Sequence, residues 1–309
     1  MIKNNTIKRI GYLFKRFFLL LISFKVLEIF KKTYNFFTDG SKIDLDKLNI
    51  DKDLSLDDLF LKFGTDKGTL DGKKTYDFLE KKKKEKSFNN YFEWISRKNP
   101  KDFEYQFGHN FTPHYEKYFR SIRDKPLKIL EIGVANGHSI ASWFKYFPNA
   151  EIIGVDIKKS YYFFYKAKRI KYVTLDCTND KDVNNFLKKN GKFDIIIDDS
   201  DHTYEFFTSN LKKFYPSLSD GGIYALEDFI SSDILLKLEK DYNESNGKRM
   251  MRDHSLLMDE MFNLIKKKEI FDHHILDKYT LKNIFDTVSN VEVHYGDHPT
   301  SSVGFLFKK

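Results

Sequence analysis

The chain has 309 residues, and its 53 Lys and Arg residues against 45 Asp and Glu residues leave a net charge of +8. At roughly 100 to 200 residues per domain, this length fits one catalytic domain with an N-terminal extension better than two full domains. The single cysteine, Cys177, excludes an internal disulfide and any site built from several thiolates, which suits a cytoplasmic protein.

Residues 1–37 combine several basic side chains with the apolar run FFLLLISF. As a helix this run is about 12 Å long, whereas the hydrocarbon layer is about 30 Å thick, so it cannot span a bilayer unaided. It can lie peripherally on the cytoplasmic face of the membrane, with its lysines and arginines facing anionic lipids. The alternative is a helix packed on the catalytic domain or on the partner in a homo-oligomer. We assign residues 1–40 to this helical N-terminal segment.

Residues 41–126 are predicted to form a mainly helical cap. It contains LFLKFGTDKGT, which starts at residue 59, and HNFTPHY, which starts at residue 109. Between them lies a lysine-rich stretch with KKKKEKSFNNYFEW. A charge run is usually a solvated face, so we expect this stretch to be a solvated excursion or a flap.

From residue 127 to the end, apolar runs of strand length alternate with helical segments. Strands are predicted at 128–133, 151–156, 171–175, 193–198 and 222–227, and helices at 137–147, 160–168, 179–190 and 203–216. This alternation predicts an α/β domain with a parallel sheet and right-handed crossovers. The following residues, 231–289, are predicted to be mostly helical, and the final runs NVEVHYG and SVGFLFKK predict two short strands.

The run KILEIGVANG, which starts at residue 128, is followed by IIGVDI. Gly133 and Gly137 allow the backbone to turn sharply after a strand and to approach a ligand closely. Asp156 ends the next strand, about 20 residues on, where a carboxylate can accept hydrogen bonds from ribose hydroxyls. Ala135 stands where a dinucleotide loop has its middle glycine, so a pyrophosphate is disfavoured.

The EIGVANG run resembles the first motif of class I S-adenosylmethionine-dependent methyltransferases, which typically read E/D-x-G-x-x-x-G. The resemblance implies a Rossmann-like fold with a mostly parallel seven-stranded sheet and an antiparallel C-terminal edge. It also implies that Glu131 lies near the amino-acid end of the cofactor, that Gly133 and Gly137 bracket this end, and that Asp156 holds the ribose. Asp176, which closes the strand-like KYVTLD, resembles the acid near adenine, with a helix cap as the alternative.

Two further apolar runs, FDIIIDDSDHT and GGIYALEDF, end in acids. Because the carboxyl ends of parallel strands meet at one edge, we expect these acids to gather beside the glycine loop. The acids are Asp198, Asp199, Glu227 and Asp228. Clustered carboxylates raise one another's pKa values unless a cation is present, and an all-oxygen cluster suits Mg²⁺.

His202 follows Asp199 by three residues, so both side chains can face one cavity. Methyl transfer to an alcohol requires that a proton leave the attacking oxygen. A metal makes that oxygen more acidic, and imidazole is a suitable proton acceptor. The remaining histidines are expected to be structural, although a functional role is left open for His109 and His114.

The pattern D-x-x-H followed by E-D resembles the metal-dependent sugar O-methyltransferases of macrolide antibiotics such as mycinamicin and tylosin, and the related cephalosporin hydroxylase and rhamnosyl O-methyltransferase group. Members usually read D-D-G-S-H, whereas this chain has Ser200 and Asp201 before His202. Asp201 can cap the helix, join the metal or alter His202. The resemblance implies the metal ligands Asp199, Glu227 and Asp228, with His202 as the base.

An upstream family motif, G-S/T-D-K-G, is similar to GTDKG in this chain. In relatives a histidine and tyrosine pattern follows it closely, but here HNFTPHY comes only about 40 residues later, so residues 70–108 look like an insertion.

The leading hypothesis is transfer of a methyl group from S-adenosylmethionine to a sugar hydroxyl of a glycan or glycosylated metabolite, with Mg²⁺. The alternatives are another small-molecule acceptor, a nucleic acid, or a membrane-attached binding or scaffolding protein with a degenerate site. A nucleic-acid substrate is disfavoured because no N-P-P-Y or D-P-P-Y run is present.

Overall fold

The computed structural model describes residues 42–51, 54–68, 109–159, 163–229, 258–295 and 302–309. The chain divides into two compact units, residues 1–43 and 44–309, and almost all of the described residues belong to the second. The predictions for the N-terminal segment, residues 1–40, and for the insertion, residues 70–108, lie outside the described residues. Within the described ranges, no helix combines the length and apolar character needed to cross a bilayer.

Nine strands and seven α-helices are described. The strands are β1 (Ile43–Asp44), β2 (Lys128–Ile132), β3 (Glu151–Asp156), β4 (Tyr165–Lys166), β5 (Ile170–Thr174), β6 (Phe193–Asp198), β7 (Leu218–Phe229), β8 (Val288–Tyr295) and β9 (Ser302–Lys308). The helices are α1 (Leu56–Phe63), α2 (Thr112–Phe119), α3 (His138–Tyr146), α4 (Asp180–Asn190), α5 (Tyr204–Phe214), α6 (Met258–Lys267) and α7 (Lys278–Thr287), with 3₁₀ turns at Arg120–Ile122 and Tyr215–Ser217.

Seven of these strands form one sheet in the order β5-β3-β2-β6-β7-β9-β8. The pairs from β5 to β7 are parallel, and β9 runs antiparallel to both β7 and β8. The central strands are apolar along their length because both faces of the sheet are covered; Ile129, Leu130 and Ile196, for example, are fully buried. The predicted sheet, mostly parallel with an antiparallel C-terminal edge, is confirmed.

The direction of winding reverses at the centre of the sheet. From β2 the chain proceeds outward to β3 and β5, and it then returns to the other side of β2 to form β6. In open α/β sheets a ligand crevice lies at such a switch point, outside the carboxyl ends of the strands. Gly133 follows β2 directly and Asp199 follows β6, so the two predicted motifs meet at this crevice.

The helix predicted over residues 160–168 is wrong for the described part, residues 163–168, where Tyr165–Lys166 is a short strand. The aromatic side chains explain the difference. Phe163 stacks on Tyr172 with ring centroids 4.3 Å apart, and Tyr165 meets Phe63 edge-on at 5.5 Å. Burial of these rings against neighbouring elements holds the chain extended, which aromatic residues favour in any case.

Two segments that are distant in sequence are joined beside the carboxyl edge of the sheet. Helix α1 ends at Phe63 and is capped by Gly64, whose φ of 77° is the left-handed conformation typical of a helix C-terminus. The following residues, 66–68, form a short backbone ladder with residues 109–111. Its hydrogen bonds run from the His109 amide to the Asp66 carbonyl (2.7 Å), from Asn110 to Gly68 (3.1 Å) and from Phe111 to Lys67 (2.8 Å).

Candidate active site

A cavity of about 630 Å³ opens at the carboxyl edge of the sheet. This volume falls within the range of about 300 to 1,000 Å³ that is typical of small-molecule sites. Of the residues predicted from sequence, six line it: Gly133, Asp156, Asp176, Asp199, His202 and Asp228. Glu131 and Glu227 are fully buried. The structure therefore brings most of the predicted cofactor and metal residues to one cavity.

The glycine loop is shaped by its packing against β6. Gly133 has a φ of 85°, and a Cβ on it would lie 2.0 Å from the backbone oxygen of Asp199. Gly137 has a φ of 88°, and its Cβ would lie 2.7 Å from the Tyr172 hydroxyl. A side chain at either position would be both strained and obstructed. The close approach at Gly133 places Asp199, a predicted metal ligand, beside the glycine loop.

We expect Gly133→Ala to destabilise the fold, and Gly221→Ala is its matched control. Gly221 has a φ of 72°, but its Cβ would meet nothing within 4 Å. The control carries only the cost of a left-handed non-glycine residue, about 1 to 3 kcal/mol. Gly133→Ala adds steric overlap, worth about 1 to 3 kcal/mol more. Urea unfolding of both variants checks this, and equal losses would show that the contact with Asp199 relaxes freely.

Two carboxylates in the cavity are fixed by backbone amides. Asp156 Oδ2 accepts from the Ala135 amide (2.9 Å), and its Oδ1 accepts from the Lys158 amide (2.8 Å). Asp176 Oδ1 accepts from the Thr178 amide (2.9 Å), while the cap of α4 is Asn179. Asn179 therefore caps this helix, and Asp176 does not. Each carboxylate keeps lone pairs that can accept hydrogen bonds from a ligand.

Two residues of the predicted metal and base set, His202 and Asp228, have a left-handed backbone conformation. His202 has a φ of 57°, and Asp228 has a φ of 59°. Asp228 also lies at an irregularity in the β7–β9 pairing, between Glu227 and Phe229. Bulges of this kind redirect side chains beside active sites, and strained backbone clusters at such sites. One ligand atom each from Asp199, His202 and Asp228 lies within 4.8 Å of the others.

Glu227 lies outside this group, fully buried and not among the residues that line the cavity. Asp198 does not join the group either, contrary to the expectation that all four acids converge. It is the last residue of β6, and successive residues of a strand point to opposite faces. Its carboxylate accepts hydrogen bonds from Ser200 Oγ (2.7 Å) and the Tyr224 hydroxyl (2.8 Å). Burial raises the pKa of Asp198 to about 6, against these hydrogen bonds. Asp198 thus supports the turn that carries the motif.

The departure from the usual D-D-G-S-H pattern is accommodated locally. The left-handed residue of this turn is His202, so the missing glycine does not coincide with the strained position. Asp201 is exposed, and its Oδ2 accepts from Thr203 Oγ1 at 3.2 Å. His202 is nearly half exposed, and its Nε2 lies 3.9 Å from Asp199 Oδ1.

Sequence reasoning missed a buried ammonium in the cluster, that of Lys67. Its Nζ lies 2.6 Å from Asp199 Oδ2 and 3.9 Å from Glu131 Oε1, and it also donates to Glu227 Oε2. Burial works against the charge, but these carboxylates outweigh it and hold the pKa of Lys67 well above its usual value. The Tyr115 hydroxyl donates to the other oxygen, Glu227 Oε1. Lys67 lies in the motif GTDKG and Tyr115 in HNFTPHY, but nothing in either motif predicts that both side chains contact Glu227.

His109 was also left without a role, and the structure places it at the site. Its Nδ1 lies 3.0 Å from Asp228 Oδ1, and its Nε2 lies 3.5 Å from Asp66 Oδ2. Burial opposes its protonation, but the hydrogen bonds to Asp228 and Asp66 prevail and raise the pKa of His109 to about 10. The two carboxylates therefore favour the protonated form of this imidazole.

The charge balance of the cluster fits a bound cation. Five carboxylates surround the two cationic side chains Lys67 and His109: Asp66, Glu131, Asp199, Glu227 and Asp228. Burial raises the pKa of Asp199 to about 6 and that of Glu131 to about 7, with Lys67 opposing both shifts. This formal excess of negative charge is the setting in which a hard divalent ion binds, and oxygen atoms are the ligands it prefers.

Comparison with known proteins agrees with this geometry. Residues 130–229, about a third of the chain, match the methyltransferase domain family. A solved methyltransferase of the mycinamycin biosynthetic pathway, in complex with Mg and SAH, is 20% identical, with a TM-score of 0.51. That match covers 82% of this chain and 53% of the other, and it shows that the two share the class I methyltransferase fold.

Among curated proteins, the chain is similar to several O-methyltransferases. It is 31% identical over 132 residues to the mycinamicin VI 2''-O-methyltransferase of Micromonospora griseorubida, an alignment that covers 40% of this chain and 33% of the relative. It is 32% identical over 135 residues to the L-olivosyl-oleandolide 3-O-methyltransferase of Streptomyces antibioticus, with the same coverage of 40% and 33%. The chain spans about a third of the length of these relatives.

Proposed function

We propose that this protein transfers a methyl group from S-adenosylmethionine to a hydroxyl group of a sugar, in a glycan or a glycosylated metabolite, with Mg²⁺ as the metal. The observation that carries the proposal is the meeting of Asp199, His202 and Asp228 in the cavity that Gly133 and Asp156 also line. The names of the curated relatives, which are sugar O-methyltransferases, support the acceptor class. The solved relative complexed with Mg and SAH supports both cofactors.

In this proposal the glycine loop and its neighbouring acids bind the cofactor. Asp156 accepts from the ribose hydroxyls, since its carboxylate is already oriented by the Ala135 amide. Asp176 lines the same cavity and is assigned to the adenine end. Glu131, two residues before Gly133, is assigned to the amino-acid end of the cofactor.

The metal is assigned to Asp199, Asp228 and Glu227, and the base to His202. A bound Mg²⁺ would act as a Lewis acid and lower the pKa of the acceptor hydroxyl. His202 lies on the wall of the cavity, nearly half exposed, so it can accept the hydroxyl proton and pass it to water. The cavity holds acceptor and cofactor together, and correct alignment of oxygen and methyl supplies much of the rate.

Residues 1–37 are proposed to contact the membrane peripherally, and the alternative is a helix that packs on the catalytic domain or on the partner in a homo-oligomer. A reporter fused to these residues should sediment with anionic vesicles if the membrane proposal holds. Failure to sediment would favour the packed helix. A nucleic-acid acceptor is not expected, because the motif after β6 is D-x-x-H.

Removal of the metal tests the proposed reaction. The full chain is incubated with labelled S-adenosylmethionine and cell-envelope glycan fractions, and the product is mapped by mass spectrometry. We expect EDTA to abolish transfer and excess Mg²⁺ to restore it, because the acceptor hydroxyl is too weak an acid without the ion. Full activity in EDTA would refute the metal role, and methylation of bulk RNA or DNA would refute the acceptor class.

Calorimetry with S-adenosylhomocysteine separates an enzyme from a protein with a degenerate site. Binding heat is expected both with and without EDTA, since the cofactor residues are distinct from the metal ligands. The absence of heat in both conditions would favour the scaffolding alternative.

A further inference from the structure

Glu227 is fixed inside the protein from two directions. Its Oε1 accepts from the Tyr115 hydroxyl, and its Oε2 accepts from Lys67 Nζ. Glu227 and Tyr115 are fully buried, and the Lys67 side chain is 3% exposed. Tyr115 comes from α2 and Lys67 from the turn after α1, so three separate elements meet at this carboxylate.

The same arrangement fixes a second proposed metal ligand. Lys67 Nζ also donates to Asp199 Oδ2, at 2.6 Å. The other carboxylate oxygen, Oδ1, is left on the side of His202, whose Nε2 lies 3.9 Å away. Asp199 lines the cavity, whereas Glu227, Lys67 and Tyr115 lie behind it and do not. The orientation of Asp199 therefore depends on an ammonium that stands behind it.

We propose that Tyr115 and Lys67 are positioning residues of the metal site, which hold Glu227 and Asp199 in the orientation that binds the cation. The inference rests on the proposed function and assigns roles to two residues that no motif of the glycine loop or the D-x-x-H cluster includes. Partners of this kind orient metal ligands through hydrogen bonds, and their loss typically lowers metal affinity about 10- to 100-fold.

Tyr115 offers the cleaner test because it is neutral. Removal of Lys67 would change the charge of the cluster as well as its geometry, and the two effects on cation affinity oppose each other. Removal of the Tyr115 hydroxyl leaves the charge unchanged. Its ring packs edge-on against Trp143 at 5.1 Å and Phe305 at 5.7 Å, so Tyr115→Phe keeps the surrounding core.

The sign of the change in affinity distinguishes positioning from competition. If Tyr115 holds Glu227 in its binding orientation, Tyr115→Phe weakens cation binding. If the ion must instead displace Tyr115 from Glu227, the same variant strengthens it. Tyr118→Phe is the matched control, because Tyr118 lies on the same helix but its hydroxyl bonds Glu292 and His294.

The experiment is a Mn²⁺ titration of the full chain followed by electron paramagnetic resonance, with S-adenosylhomocysteine affinity measured by calorimetry. Tyr115→Phe should raise the Mn²⁺ Kd about tenfold. It should leave S-adenosylhomocysteine affinity unchanged, and Tyr118→Phe should change neither. Unchanged or tighter Mn²⁺ binding by Tyr115→Phe, or a parallel loss of both affinities, would overturn the inference while the proposed function stands. If the unaltered chain shows no saturable Mn²⁺ binding, the metal part of the proposed function and this inference fall together.

Discussion

Asp199→Asn should abolish methyl transfer while S-adenosylhomocysteine still binds with unchanged affinity. Asp199 is proposed to ligate the cation, and its carboxylate also contacts Lys67 at 2.6 Å. An amide of the same shape carries no charge, so the variant removes the electrostatic attraction for the ion with little change in packing. The turnover assay with labelled cofactor, together with calorimetry, checks both halves of the expectation.

His202→Gln is the companion variant that separates the roles of base and ligand. Loss of a general base lowers the rate about 10²- to 10⁴-fold. If His202 acts as the base and not as a metal ligand, Mn²⁺ affinity stays at the level of the unaltered chain. Turnover by Asp199→Asn at the normal rate would contradict the assignment of Asp199, and loss of Mn²⁺ binding by His202→Gln would reassign the imidazole to the ion.

Lys67→Met should destabilise the fold by about 3 to 5 kcal/mol, the usual cost of breaking a buried ion pair from one side. Lys67 is 3% exposed, and its removal leaves the fully buried Glu227 without a cation. The measurement is the free energy of unfolding in urea. The effect has this size because the carboxylate stays desolvated and loses its compensating charge.

The double variant Lys67→Met with Glu227→Leu should recover most of that stability, because replacement of both buried partners by apolar groups is often neutral. Lys282→Met is the surface control. Lys282 is 74% exposed and pairs with Asp286 one helical turn away, so its removal should leave the unfolding free energy nearly unchanged. A loss in the double variant equal to that of Lys67→Met would show that the cost does not arise from the unpaired Glu227.

Local signals were sufficient to predict the sheet and the position of the glycine loop. The strands β2, β3 and β6 are continuous apolar runs, and such runs ending in glycine or acids predict buried parallel strands. The error over residues 163–168 arose where tertiary packing decided the conformation. The contacts of Phe163 with Tyr172 and of Tyr165 with Phe63 are absent from any local pattern.

The candidate site could be predicted only where its residues follow strands. Asp199 and Asp228 were found because the ends of parallel strands share an edge. Lys67 lies 132 residues before Asp199, and Tyr115 lies 112 residues before Glu227, so their contacts depend on the folded chain. For Asp198 the alternation of side chains along a strand was available, and it correctly separates Asp198 from Asp199.

The ladder between residues 66–68 and 109–111 bears on how much the number of residues between them can vary. The ends of the intervening forty or so residues are already joined by the hydrogen bonds from His109 to Asp66 and from Phe111 to Lys67. Since the entropy of closing a loop grows only slowly with its length, by about 0.6 kcal/mol for each doubling, the ladder tolerates inserts of very different size. Natural variation or protein engineering can therefore change the number of residues between 68 and 109 while the hydrogen bonds on either side of them stay in place.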